Sequence, residues 1–285
     1  LSSTHPPVAA TAAGGLRVVT YRHGVVVRIT HWINVLCMTV LLMSGLQIFN
    51  AHPALYWGSI SDFEHPAFAI RAVQPEGGAP QGQMLLLGFA VPTTGVLGLT
   101  HGPDNEAVVR AFPWWMTIPS YYSLADGRQW HFFFAWVFVL NALVYFGHGL
   151  LSRHLWRDLI PTLADLRHLP AAIIEHARLR LPRGEAARRY NVLQRLTYLA
   201  VIFVLVPTIV LAGCAMSPRL DAGFPWLLTL FGGRQSARTV HFIAAWSLVA
   251  FVVAHVVMVL VSGLFNNMRS MVTGRYVIET APVQR

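Results

Sequence analysis

The sequence predicts an all-α integral membrane protein, a four-helix bundle with a long external loop between its first and second helices. Three observations carry that expectation. Of 285 residues, 55% are hydrophobic and 12% charged, well below the roughly 25% charged residues usual in soluble domains. Four apolar stretches are each long enough to cross a hydrocarbon core, which takes about 20 residues of helix. Charge gathers in the segments between them, apart from Arg195 at the start of the third.

The stretch 1–15 is rich in Ser, Thr, Pro and Ala and has no apolar core. Together with the rest of 1–24 it reads as a disordered tail, not a signal peptide. The membrane domain follows over 25–265, with its first span at about 29–49. An external loop covers 50–129. Its apolar part, 84–100, is short, broken by Pro92 and interrupted by glycines, and belongs to a folded loop. The second span is placed at about 130–151. A basic loop over 152–192 leads to the third span, about 193–216, where Pro207 predicts a kink. Within that loop and just beyond it, 178–195 has the composition of a surface helix lying near anionic headgroups. The fourth span is placed at about 239–265, and 266–285 forms a C-terminal tail.

All 21 basic residues are arginine, and against 12 acids they give a net charge of +9. Nucleic acid and anionic lipid are both attracted to such a charge, but the arginines flank the spans, which favours the membrane and no nucleic acid. Arg17, Arg22 and Arg28 precede the first span with no acid among them. Nine arginines, counting Arg195 at the start of the third span, follow the second span against Asp158, Asp165, Glu175 and Glu185. The first loop instead carries Asp62, Glu64, Glu76, Asp104, Glu106 and Asp126 against Arg71, Arg110 and Arg128. By the positive-inside rule both termini and the middle loop are expected in the cytoplasm and the first loop outside.

Cys37 and Cys214 fall inside apolar runs and read as small buried hydrophobes. The sequence holds no CxxCH, CxxC, HExxH, GxGxxG or GxxxxGK[ST] pattern, so covalent haem, zinc, dinucleotide and P-loop chemistry have no support from motifs.

Histidines carry the chemical signal. Ionisable groups inside membrane helices are expensive and mark function, and His31, His131, His148, His241 and His255 all lie in the spans. A neutral imidazole is a good axial ligand for haem iron. His241 and His255 are fourteen residues apart on one helix, which returns to within about 40° of the same face after a rise of about 21 Å. One helix thus offers two ligands at two depths, each needing a partner from another helix at the same depth. That logic pairs His131 with His241 at an outer site and His31 with His255 at an inner one. Gly45, fourteen residues beyond His31, lies at the outer level, where a missing side chain leaves room for a macrocycle or for close helix packing. His148 competes for the inner site, but its position on the helix is about 100° away from the His131 face. It reads as a headgroup-level histidine. His23, His52, His65, His101, His154, His168 and His176 read as loop residues. Arg128, Arg234 and Arg238 flank the outer site and Arg22 and Arg28 the inner one, as candidate partners for haem propionates. Phe112, Trp114, Trp115, Tyr121 and Tyr122 suit either a docking surface or an interfacial aromatic belt.

At these residues the chain resembles the superfamily of bacterial cytochrome b561, nickel-iron hydrogenase b-type cytochromes and formate dehydrogenase gamma subunits. The resemblance spans residues 21–276. It rests on RHGVVVRITHWINVLCMTVLLMSG, RQWHFFFAWVFVLNALVYF and GGRQSARTVHFIAAWSLVAFVVAHVVMV at the first, second and fourth spans. It implies two non-covalent haem b groups with His31, His131, His241 and His255 as axial iron ligands, in the bacterial inner membrane. RYNVLQRLTYLAVIFVLVP and NNMRSMVTGRY are similar to the subgroup associated with periplasmic molybdopterin oxidoreductases. The function so implied is that of an electron-transfer subunit of a quinone-linked oxidoreductase, with quinone or quinol as diffusible partner and a periplasmic molybdopterin oxidoreductase or similar enzyme as protein partner. A homo-oligomer is compatible with the same features. Two other functions remain open: a stand-alone superoxide:quinone oxidoreductase of the b561 type, and a transporter or structural membrane subunit without haem.

Overall fold

A computed structural model describes residues 9–12, 15–152, 160–162, 165, 167, 169–177 and 192–280. The segment 178–191, which holds most of the expected surface helix, lies outside the described residues, as do His154 and His168.

Among the described residues, four helices are long and apolar enough to cross a membrane: Val25–Asn50 (α1), Leu124–Leu151 (α2), Val192–Ala215 and Arg234–Val261 (α8). Their outward faces are apolar too, with Leu36, Phe133, Trp136, Leu143 and Val253 exposed. A helix that is hydrophobic on all sides is solvated by lipid. The third span is compound. It consists of α4 (Val192–Ala200), a π turn over Val201–Leu205 and α5 (Val206–Ala215). Pro207 has no N–H for the preceding turn and crowds its carbonyl, and the wider winding just ahead of it is one way a helix absorbs that defect. The fourth span ends at Val261, short of the expected 265. Gly263, at φ 107°, turns the chain into α9 (Leu264–Thr273). Among the described residues, shorter α-helices are α3 (Leu169–Ala177), α6 (Pro218–Gly223) and α7 (Trp226–Phe231).

The chain divides into two compact units, one of Leu1–Trp32, Ala142–Val204 and Leu248–Arg285, the other of Ile33–Asn141 and Leu205–Ser247. In the first unit, β1 (Ala9–Ala12), β2 (Gly15–Tyr21) and β9 (Arg275–Thr280) form an antiparallel sheet. β2 and β9 pair from Leu16 opposite Thr280 to Tyr21 opposite Arg275. The tails expected over 1–24 and 266–285 therefore contain paired strands. Asn266 secures β9 by exchanging two hydrogen bonds with the Val277 backbone, at 2.8 and 3.0 Å. Trp32 Nε1 donates to the Met271 carbonyl at 3.1 Å, so the start of α1 is also held by α9.

The second unit corrects the all-α expectation. Its long loop folds into a four-stranded meander, β3 (Ala54–Leu55), β4 (Phe68–Val73), β5 (Gln81–Leu86) and β6 (Phe89–Pro92), and a hairpin of β7 (Gly98–His101) and β8 (Ala107–Arg110). Leu87 and Gly88 both take positive φ between β5 and β6, the requirement of a two-residue hairpin turn whose twist suits the strands. The segment 84–100 is accordingly strand and turn. Leu55, Ile70, Ala111 and Phe112 pack with Leu46 and Phe49 of α1 in one core. Asn50 locks the junction, accepting from Phe112 N–H at 2.7 Å and donating to its carbonyl at 3.3 Å.

Candidate functional site

In the second unit, α2 presents His131 and α8 presents His241, with ring centres 6.2 Å apart and planes at 63°. Both imidazoles are anchored through Nδ1. His241 Nδ1 donates to the Ile209 carbonyl at 2.8 Å. A carbonyl only accepts, so the proton sits on Nδ1 and Nε2 keeps its lone pair. His131 Nδ1 lies 3.1 Å from Ser44 Oγ. Ser44 directs its own proton to the Val40 carbonyl at 2.6 Å, so Oγ accepts from the imidazole and the same tautomer results. The Leu41 carbonyl is within hydrogen-bonding reach of that ring as well.

A glycine stands beside each of these rings. A Cβ at Gly45 would meet His131 Cε1 at 3.4 Å, and one at Gly213 would meet His241 Cε1 at 3.3 Å. Gly45 is four residues after Leu41, and Gly213 four after Ile209. A helical side chain covers the turn preceding its own Cα, so each glycine uncovers the carbonyl that faces the imidazole. The space at Gly45 is thus taken by the His131 ring.

In the first unit, His31 of α1 and His255 of α8 have ring centres 6.4 Å apart and planes at 55°. Trp32 meets His31 edge-on at 5.3 Å, and Phe251 stacks on His255 at 6.0 Å with Tyr198 at its edge. His31 Nδ1 is buried, with no hydrogen-bond partner among the described residues. His148 is half-buried on α2, and among the described residues no other imidazole packs on its ring. The four His residues that the sequence places at two depths therefore stand in two pairs.

The donor set fits an iron porphyrin. Two imidazole nitrogens each roughly 2.0 Å from one metal, with roughly 1 Å more from nitrogen to ring centre, put the ring centres about 6 Å apart. Both observed separations match. The anchored tautomer leaves the nitrogen that a metal needs.

The arginines have divided roles. Arg234 pairs with Asp221 at 2.9 Å, and Arg128 lies over the Phe132 ring. Arg238, one turn before His241, donates to the His52 carbonyl and sits over Phe49. Arg28 donates to the Val272 carbonyl, and Arg22 lies over Tyr276. Arg110 is buried and donates to Gln47 Oε1, Thr117 Oγ1 and the Ser120 carbonyl, and burial lowers its pKa. It fastens the loop to α1. Burial, and secondarily Arg238, lower the pKa of His52, whose Nε2 is buried without a partner among the described residues. Sequence reasoning missed Ser44, Ile209, Gly213 and Arg110. The only trace it had was a small residue within each apolar span.

Residues 22–274, most of the chain, match the family described as prokaryotic cytochrome b561. The chain is 29% identical over 232 residues to "Putative protein-methionine-sulfoxide reductase subunit YedZ1" of Azospira oryzae, covering 81% of this chain and 86% of that protein. No solved structure matches. A family match of this extent, on four helices able to cross a membrane, makes the chain an integral membrane member of the prokaryotic cytochrome b561 family.

Proposed function

We propose that this chain is a dihaem b-type cytochrome of the bacterial inner membrane, carrying electrons from the quinol pool to a periplasmic molybdopterin enzyme that reduces methionine sulfoxide in proteins. The observation that carries this reading is the presence of two imidazole pairs, each at the ring separation of a bis-histidine metal centre. The Azospira relative's name supplies the substrate class. The chemistry balances: a quinol yields a quinone, two protons and two electrons, and the sulfoxide takes two protons and two electrons to give the thioether and water.

In this reading His131 and His241 would hold the iron of the outer haem, and His31 and His255 that of the inner one. Haem iron supplies one-electron exchange when bound between such imidazoles. Ser44 and the Ile209 carbonyl hold the protons on the two outer Nδ1 atoms and fix the ring planes. The apolar spans keep water from the iron ligands. Both termini face the cytoplasm, in keeping with the arginine distribution. The folded outer loop supports a protein partner over a stand-alone superoxide oxidase.

The test uses the full chain in membranes. Haem counting with a reduced-minus-oxidised spectrum should give two b haems per chain. A quinol should reduce them, and a methionine-sulfoxide reductase catalytic subunit with methionine sulfoxide should reoxidise them. One haem or none, or haem that quinol leaves oxidised, would end the reading.

A further inference from the structure

Beside the outer histidine pair, the segment 57–63 exposes three large apolar side chains. Trp57, Ile60 and Phe63 are 57%, 78% and 73% exposed. The segment is fixed in place. The Gly58 carbonyl accepts from both Gln235 N–H and Ser236 N–H at 3.1 Å, Gly58 N–H donates to Ser236 Oγ at 2.7 Å, and Gln235 Nε2 donates to Ser61 Oγ at 3.0 Å. These contacts satisfy free donors in the first turn of α8, the helix that carries His241 two turns on. A Cβ at Gly233, which has φ 119°, would come within 2.5 Å of the Gly58 carbonyl, so only glycine permits the approach.

The patch also connects inward. Phe63 contacts Tyr56 and His52 with ring centres 6.0 and 5.8 Å apart. Arg238 donates to the His52 carbonyl and lies over Phe49, and Phe49 packs on Phe242, the neighbour of His241. Phe63 of the patch thus stands at the start of a chain of contacts, through His52, Arg238, Phe49 and Phe242, that leads to the neighbour of His241.

Charge decides what covers them. Asp62, Glu64 and His65 are exposed within the same turn, and Asp62 organises it by accepting from the Glu64 and His65 N–H groups at 3.2 Å. Carboxylates there oppose entry into hydrocarbon and repel anionic headgroups. A protein with an apolar centre and a basic rim complements such a surface.

We infer that the segment 57–63 is the docking surface for the soluble catalytic subunit that exchanges electrons with the outer site, with Trp57, Ile60 and Phe63 as its apolar anchors and Asp62 and Glu64 as its charged rim. This inference rests on the partner proposed above.

The test follows reoxidation of the reduced full-length cytochrome in nanodiscs by the purified Azospira oryzae reductase catalytic subunit with methionine sulfoxide, at increasing subunit concentration. Ile60→Arg should raise the half-saturating concentration about tenfold, the loss of a central anchor, with haem spectrum and limiting rate unchanged. Asp62→Arg should raise it less and flatten its salt dependence. Val109→Arg, at an exposed position on β8, should leave it unchanged. Normal saturation by Ile60→Arg, or an equal loss in Val109→Arg, would overturn the surface while leaving the partner reading intact. Wild-type cytochrome that the subunit never reoxidises would overturn both. A change of oligomeric state on Ile60→Arg would give the patch to a second copy and overturn the assignment.

Discussion

The two histidine pairs have nearly equal ring separations and different surroundings. His131 and His241 each pass an Nδ1 proton to a fixed acceptor and each rest against a glycine. His31 has a buried Nδ1 with no partner among the described residues, and the inner pair is bordered by Trp32 and Phe251. Hydrogen bonds to a ligand's far nitrogen orient it and raise its basicity. Aromatic walls only confine it. The same separation is therefore kept by directional bonding in one pair and by packing in the other, and two haems held this way would differ in potential and in response to mutation.

The largest expected effect is loss of a haem. His131→Ala and His241→Ala should each remove the same spectral component, and His31→Ala and His255→Ala the other, halving haem per chain. His148→Ala should keep both. Loss of a haem from His148→Ala, or a different component lost by the two members of one pair, would break the comparison at its root. Next is Gly213→Leu, which pushes a side chain into the His241 ring. Overpacking of this kind costs about 1–3 kcal/mol, on the order of tenfold or more in affinity for the outer haem. The inner component, titrated in the same sample, should be unaffected.

Ser44→Ala sharpens the contrast without removing a ligand. A hydrogen bond of about 1 kcal/mol corresponds to roughly 40 mV for one electron. A less basic imidazole favours the reduced iron, so the outer potential should rise by about that amount in a redox titration and the inner one should stay. An equal shift in both would show that Ser44 acts through the bundle as a whole.

The smallest effect lies in the loop. The folded-state pKa of His52 is below its ordinary 6.5, through burial first and Arg238 second. As pH falls below about 6.5 the unfolded chain takes up a proton that the folded chain refuses, so stability declines in that window and is full above it. His52→Gln should flatten the acid limb of thermal stability by a few degrees at most. An unchanged acid limb would show that other groups set it.

The four spans were legible because a run of apolar residues has one physical meaning at that length. Fourteen residues return a helix to one face, and the structure sets His131 beside His241 and His31 beside His255. The second contacts of the imidazoles were not legible. Ile209 acts through its carbonyl, which every residue has, and Gly213 acts by lacking a side chain. Gly45 stood out by position, but the space it leaves serves His131. The sheets of the loop were hidden by short strands among Pro and Gly, such as 68–73 and 81–86. Of the two partners of β2, β9 lies more than 250 residues away, beyond the reach of any local pattern.

The pairing of β2 with β9 has a topological consequence. Two strands in one hydrogen-bonded ladder occupy one aqueous compartment, so the number of membrane crossings between them is even, whichever leaflet faces them. Fragments of a split fluorescent protein fused to the two end segments of a single chain should reassemble and light up on that one side.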